Sequence, residues 1–104
     1  MPQASNFVYK LMNCLVVAYD IRDDRRLRSI AICMEGYGER IQYSVFVADL
    51  SDREKYLMRA DIESRMKRTE DSVMIIDLGV AGDSSRFLFL GHHERLPASD
   101  ATIV

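Results

Sequence analysis

Leu15-Val16-Val17-Ala18-Tyr19 is an unbroken apolar run with no polar residue at alternate positions, and it leaves the fold few options. A stretch this short and this apolar reads as a central strand covered on both faces. The residues from Phe7 onward are also rich in Val, Leu and Tyr, so strand one is expected over 7–19. Asp20 ends the run, and Ile21-Arg22-Asp23-Asp24-Arg25-Arg26-Leu27-Arg28 follows at once. One carboxylate therefore stands where a buried strand meets an arginine-rich helix start.

Asp23 or Asp24 can cap that helix, whose apolar positions Leu27, Ile30, Ala31, Met34 and Tyr37 follow the i, i+3, i+4, i+7 spacing, with Gly36 and Gly38 supplying the stop. A helix over 24–36 is expected. In 39–50, Ile41, Tyr43, Val45 and Val47 recur at period two with Phe46 out of phase, so a bulge or tight reversal near Ser44 would divide the run into two strands. Ser51-Asp52-Arg53-Glu54 has the form of a capping box and starts a second helix. There Met58, Ile62 and Met66 recur every four residues, Leu57 widens the stripe, and Arg59, Glu63 and Lys67 lie on another face. Two further strands, SVMIIDL over 72–78 and RFLFL over 86–90, are separated by turn-rich residues 79–85. The order predicts an α+β fold, a ferredoxin-like βαββαβ sandwich with an additional C-terminal strand. One domain is expected over 1–95, followed by a flexible or partner-docked C-terminal tail over 96–104.

The chain has 104 residues, near the size where one core suffices without being generous, so association with a second copy would help it. Its apolar runs are too short to span a bilayer, and no basic segment, apolar core and small-residue cleavage site open the sequence. Two cysteines, Cys14 and Cys33, lack metal-type spacing and read as small buried hydrophobes of a reducing compartment. A cytoplasmic protein with no membrane association is expected.

A net charge of −2 argues against a chain that grips nucleic acid through overall positive charge, so any such contact must be local. Arginine, the side chain that engages phosphate bidentately, heavily outnumbers lysine and clusters at 22–28 and 53–68. Asp52, Glu54, Asp61, Glu63 and Glu70 interleave with the second cluster, which reads as solvated, ion-paired helix faces. The first cluster is less balanced. Asp20 has two readings, a turn former or a ligand for a hard cation beside phosphate-binding guanidinium groups, a combination that suits phosphodiester chemistry. His92 and His93 are neighbours whose side chains would point apart on a strand, and no Walker loop, GxSxG, HExxH or CxxC motif is present.

The strings YDIRDDRR and GYGERIQYSVF, followed by the SDRE helix start, give the chain a close resemblance over about residues 7–94 to the CRISPR-associated protein 2 family, the small subunit of the bacterial spacer-acquisition machinery. The resemblance implies a homodimer in which the last strand, here 87–90, pairs across to a second copy and the two sheets face each other. It places catalytic and supporting roles on Tyr19, Asp20, Arg40, Ser44 and Phe46, with Phe46 equally well explained as packing. Arg25, Arg26, Arg28 and Arg40 become the candidate nucleic-acid contacts. Asp20 becomes the ligand for Mg²⁺, meeting its copy at the dimer axis. The activity implied is an Mg²⁺-dependent endonuclease acting on RNA or DNA. The alternative is a non-catalytic scaffold that bridges dimers of the integrase, CRISPR-associated protein 1, and binds protospacer duplex DNA. A toxin-type ribonuclease is a third reading.

Overall fold

The computed structural model describes residues 12–92 and 102–103. Strand β1 (Asn13–Asp20) lies inside a four-stranded antiparallel sheet, followed by helix α1 (Asp24–Glu35), β2 (Glu39–Gln42), β3 (Val45–Leu50), helix α2 (Asp52–Arg65) and β4 (Ser72–Val80). The sheet order is β2-β3-β1-β4, which is the ferredoxin-like arrangement. The part of the expected first strand before residue 12 lies outside the described residues. A 3-10 turn at Ser84–Arg86 leads into β5 (Leu88–Phe89), which pairs in parallel with β6 (Thr102–Ile103). The strand anticipated over 86–90 is thus shorter, because Arg86 belongs to the turn, and its described pairing is with part of the chain's own tail.

Alternation along β1 explains its unbroken apolar sequence. Leu15, Val17 and Tyr19 enter a core beneath the helices with Ile30, Cys33, Met34, Phe46, Met58 and Ile62. Cys14 and Val16 face the other way, against Val47, Ile41, Ala81 and Phe89. The second face is covered only in part: Met74 is 55% exposed and Ile76 40%. They stand opposite Ala18 and Val16, so an apolar strip runs toward the Asp20 end of the sheet.

Local chemistry sets the helix ends. Asp23, rather than Asp24, caps α1, its side chain accepting the Arg26 amide. Ser51 and Glu54 close the full capping box of α2. Leu57 does not join the buried stripe of α2 and is 43% exposed, which leaves Met58 and Ile62 as the helix's buried residues. The Arg65 guanidinium reaches across to the carbonyl and hydroxyl of Ser29 and ties α2 to α1. Residues 39–50 divide at a Tyr43–Ser44 turn, and the ladder slips between Arg40 and Gln42, so both a reversal and a bulge occur.

The two glycines after α1 do different work. Gly36 has right-handed helical angles that any residue adopts. Gly38 instead lies so close to β3 that a Cβ there would stand 2.2 Å from the Val47 carbonyl oxygen. Gly38→Ala is therefore expected to cost about 1–3 kcal/mol by overpacking. Gly36→Ala, at compatible angles, is expected to gain about 0.4–1 kcal/mol through the unfolded chain. Urea unfolding of the two variants checks both signs.

Candidate functional site

Strand alternation divides the end of β1. Tyr19 turns toward the helices and is buried, whereas the next residue, Asp20, faces the open side of the sheet, opposite exposed Ser72. Asp20 is the strand's last residue. Its carboxylate meets the Arg22 guanidinium at 3.3 Å, and both side chains are 66% exposed, so the pair is a weak, solvent-screened one. Asp20 offers a single accessible carboxylate here, and among the described residues no group of three or more His, Cys, Asp or Glu side chains is placed to hold a metal, so the donor suits only a hard, largely hydrated cation.

On the helix side, Tyr19, Asp24, Leu27, Arg28, Ala31, Arg40 and Tyr43 line a groove of about 440 Å³. Arg40, at the β2 end of this groove, stacks its guanidinium over the Phe46 ring at 5.3 Å. Phe46 in turn stacks on Tyr19, with ring centroids 6.3 Å apart. The Tyr19 hydroxyl is buried and makes no hydrogen bond of good geometry among the described residues. Burial raises its ionisation above the ordinary phenol range, against an opposing pull from Arg40. Tyr19, Arg28 and Arg40 thus converge on one groove. Phe46 is fully buried and touches it only through its ring contacts. Ser44 contributes its carbonyl, which accepts the Tyr19 amide at 3.0 Å and holds the hairpin turn beside β1.

The arginines of the first cluster divide by partner. Arg25, Arg28 and Arg40 are exposed and form no ion pair with the described carboxylates. Arg26 is committed elsewhere. Its Nε donates to Asp71 at 2.7 Å, and a terminal nitrogen reaches Asp71 at 3.1 Å and Glu70 at 3.0 Å. The second cluster carries the ion pairs its sequence implied: Arg59 and Arg68 with Glu63, and Arg65 with Asp61.

Asp71 was not singled out by sequence reasoning. It is the only charged residue among the buried ones described, yet it reads as an ordinary acid before a strand, 45 residues from its partner. No local spacing points from one to the other. Asp24 and Tyr43, which line the groove, were likewise not singled out. The two free cysteines are buried, and burial first, then a neighbouring carboxylate, pushes each thiol up to about 11, so neither is a nucleophile near neutrality. His92 lies in a bend beyond β5, and His93 lies outside the described residues. Among the described residues no helix is long and apolar enough to cross a membrane.

The chain thus combines a ferredoxin-like sheet, an exposed carboxylate at the end of a central strand, and helix arginines that form no ion pair with the described carboxylates. The family model for CRISPR associated protein Cas2 matches residues 12–86, and the chain belongs to that family. It is 43% identical to a CRISPR-associated endoribonuclease Cas2 of Rhodospirillum rubrum over 65% of this chain and 67% of the relative. Its structure is similar to that of a hypothetical protein from Thermus thermophilus, with a TM-score of 0.63, 35% identity, and 68% and 84% of the two chains covered. It is also similar to Streptococcus pyogenes Cas2, with a TM-score of 0.60, 27% identity, and 64% and 86% covered.

The Arg26 guanidinium, and then the Arg22 and Lys67 amides, hold the Asp71 carboxyl well below the usual carboxylate range despite its burial. A depressed folded-state value makes this contribution complete above about pH 4, the ordinary value for an unfolded aspartate, and progressively lost below it. The urea midpoint of the wild type is therefore expected to fall between pH 4 and pH 2.5, and Asp71→Asn to show a smaller fall. An equal fall in both proteins would contradict the assignment.

Proposed function

We propose that the chain acts in CRISPR adaptation as a homodimer and as a metal-dependent endonuclease on RNA or DNA phosphodiesters. The observation that carries this reading is Asp20, an accessible carboxylate at the end of the central strand beside an uncovered apolar strip. A single chain supplies one such group. The strip containing Ala18, Met74 and Ile76, together with exposed Leu88 and Leu90, is a surface that a second copy would cover. Apposition of the two sheets about a two-fold axis passing near the strand ends would set one Asp20 against the other. Two close carboxylates must share a proton or hold a cation between them. Mg²⁺ bound there supplies charge neutralisation at phosphate and an activated water. The relatives' endoribonuclease names support the nuclease reading.

The chain's own residues have separable parts in this reading. Arg25, Arg28 and Arg40 dock the backbone phosphates, a role for which their freedom from carboxylates suits them. Tyr19 and Phe46 fix Arg40 through their stacked rings, and Ser44 holds the hairpin turn. Arg26 serves the buried pair rather than phosphate.

A second reading is favoured by the same unpaired arginines, which need no chemistry to bind a duplex. The dimer then works as a scaffold between dimers of the integrase, CRISPR-associated protein 1, holding protospacer DNA by its backbone.

Wild type and Asp20→Asn, compared for Mg²⁺-dependent cleavage of single-stranded RNA and duplex DNA and for spacer acquisition in cells, separate the two. The nuclease reading expects cleavage to fall about 100-fold or more, a magnitude typical of removing one electrostatic stabiliser. Equal cleavage, or none by either protein with acquisition intact, contradicts it. Arg28→Ala and Arg40→Ala are each expected to lower the salt slope of duplex binding by about 1. Unchanged slopes would remove these arginines from the interface.

A further inference from the structure

The strand-end carboxylate has no packing of its own to hold it. Asp20 is two-thirds exposed, and its described partner, Arg22, is as exposed as it is. Its position must therefore come from the backbone on either side. On the strand side, the ladder to β4 ends at the Asp20–Ser72 pair. On the helix side, the chain leaves the sheet through Ile21 and Arg22 before the α1 cap at Asp23. The anchor for this exit comes from a residue 49 positions further along the chain.

Asp71, the residue just before Ser72, accepts four hydrogen bonds. One oxygen takes the Arg22 amide at 3.0 Å and an Arg26 terminal nitrogen at 3.1 Å. The other takes the Arg26 Nε at 2.7 Å and the Lys67 amide at 2.8 Å. Its side chain is fully buried. A single carboxylate thus joins the exit of β1, the first turn of α1 and the corner between α2 and β4. Both oxygens are saturated by donors, so the carboxylate has little rotational freedom, and the amide two residues beyond Asp20 is fixed with it.

We propose that Asp71, held by Arg26, is a positioning residue for Asp20: it fixes the turn that sets the direction in which the strand-end carboxylate is presented. This rests on reading Asp20 as the functional carboxylate. Arg26 belongs to the site through Asp71 and not through nucleic acid. An asparagine at position 71 would keep an acceptor for the Arg22 amide but present a second amide to the donors of Arg26 and Lys67, loosening the corner without removing volume. Arg26→Lys keeps the charge but gives up the two-pronged geometry, and it is the milder perturbation.

Both variants are compared with wild type and Asp20→Asn as full-length proteins, at a temperature where circular dichroism shows them folded. Amide exchange is followed at Arg22 and, as a core reference in the same sheet, at Val17. Cleavage is resolved into kcat and KM. In Asp71→Asn, exchange at Arg22 is expected to rise at least about 10-fold with Val17 unchanged, since local opening is separable from global unfolding. A misdirected carboxylate should lower kcat about 10- to 100-fold while KM stays within about 2-fold. Arg26→Lys should show the same pattern at smaller size. If Arg22 exchange or kcat is unchanged in folded Asp71→Asn while Asp20→Asn is inactive, the positioning role is overturned and the reading of Asp20 stands. A parallel rise at Arg22 and Val17 also overturns it, since that marks global destabilisation. Wild type and Asp20→Asn cleaving alike overturns the reading of Asp20 and the positioning role with it.

Discussion

Successive side chains of a strand leave on opposite faces, and at the end of β1 this rule separates two neighbouring functional candidates. Tyr19 goes into the helix-side core and Asp20 to the open face. Everything proposed about the molecule inherits that division. The groove lined by Arg28 and Arg40 lies with Tyr19 on the helix side of the sheet. The carboxylate lies on the face that carries the exposed strip of Met74 and Ile76. Within one chain the groove and the carboxylate therefore lie on opposite faces of the sheet.

Much of this arrangement was legible in the residues. The continuous run 15–19 identified a central strand, and the structure buries it from both sides. The S-x-x-E start of α2 is a local, two-bond motif and appears intact. The division of 39–50 was foreseeable from Phe46 falling out of phase, since a one-residue slip changes the face of every residue beyond it. The stop after α1 was placed correctly but for a partly different reason: Gly38 is there for a close backbone approach that only the tertiary structure reveals.

What sequence could not supply was partnership over distance. Arg26 sits in the same basic run as Arg25 and Arg28, and charge alone gives no ground for treating it differently. The fold does, because the corner between α2 and β4 delivers Asp71 beneath it. Arg59 and Arg65 show the converse, since their carboxylate partners are four residues away on the same helix and helical spacing points to them, while Arg68 reaches back five residues to Glu63 from beyond the helix end. A buried charge pair is weak evidence for stability in itself, and its value here lies in the geometry it imposes. Of the arginines singled out as candidate phosphate contacts, Arg25, Arg28 and Arg40 form no ion pair with the described carboxylates.

The central claim is that two chains, each with one strand-end carboxylate, share a cation at their axis. The most direct measurement is the number of Mn²⁺ ions bound per chain by titration calorimetry, with the association state followed in parallel by sedimentation. The account predicts one ion per two chains, bound only by the dimer and lost in Asp20→Asn. One ion per chain at any association state, or binding that survives Asp20→Asn unchanged, would contradict it.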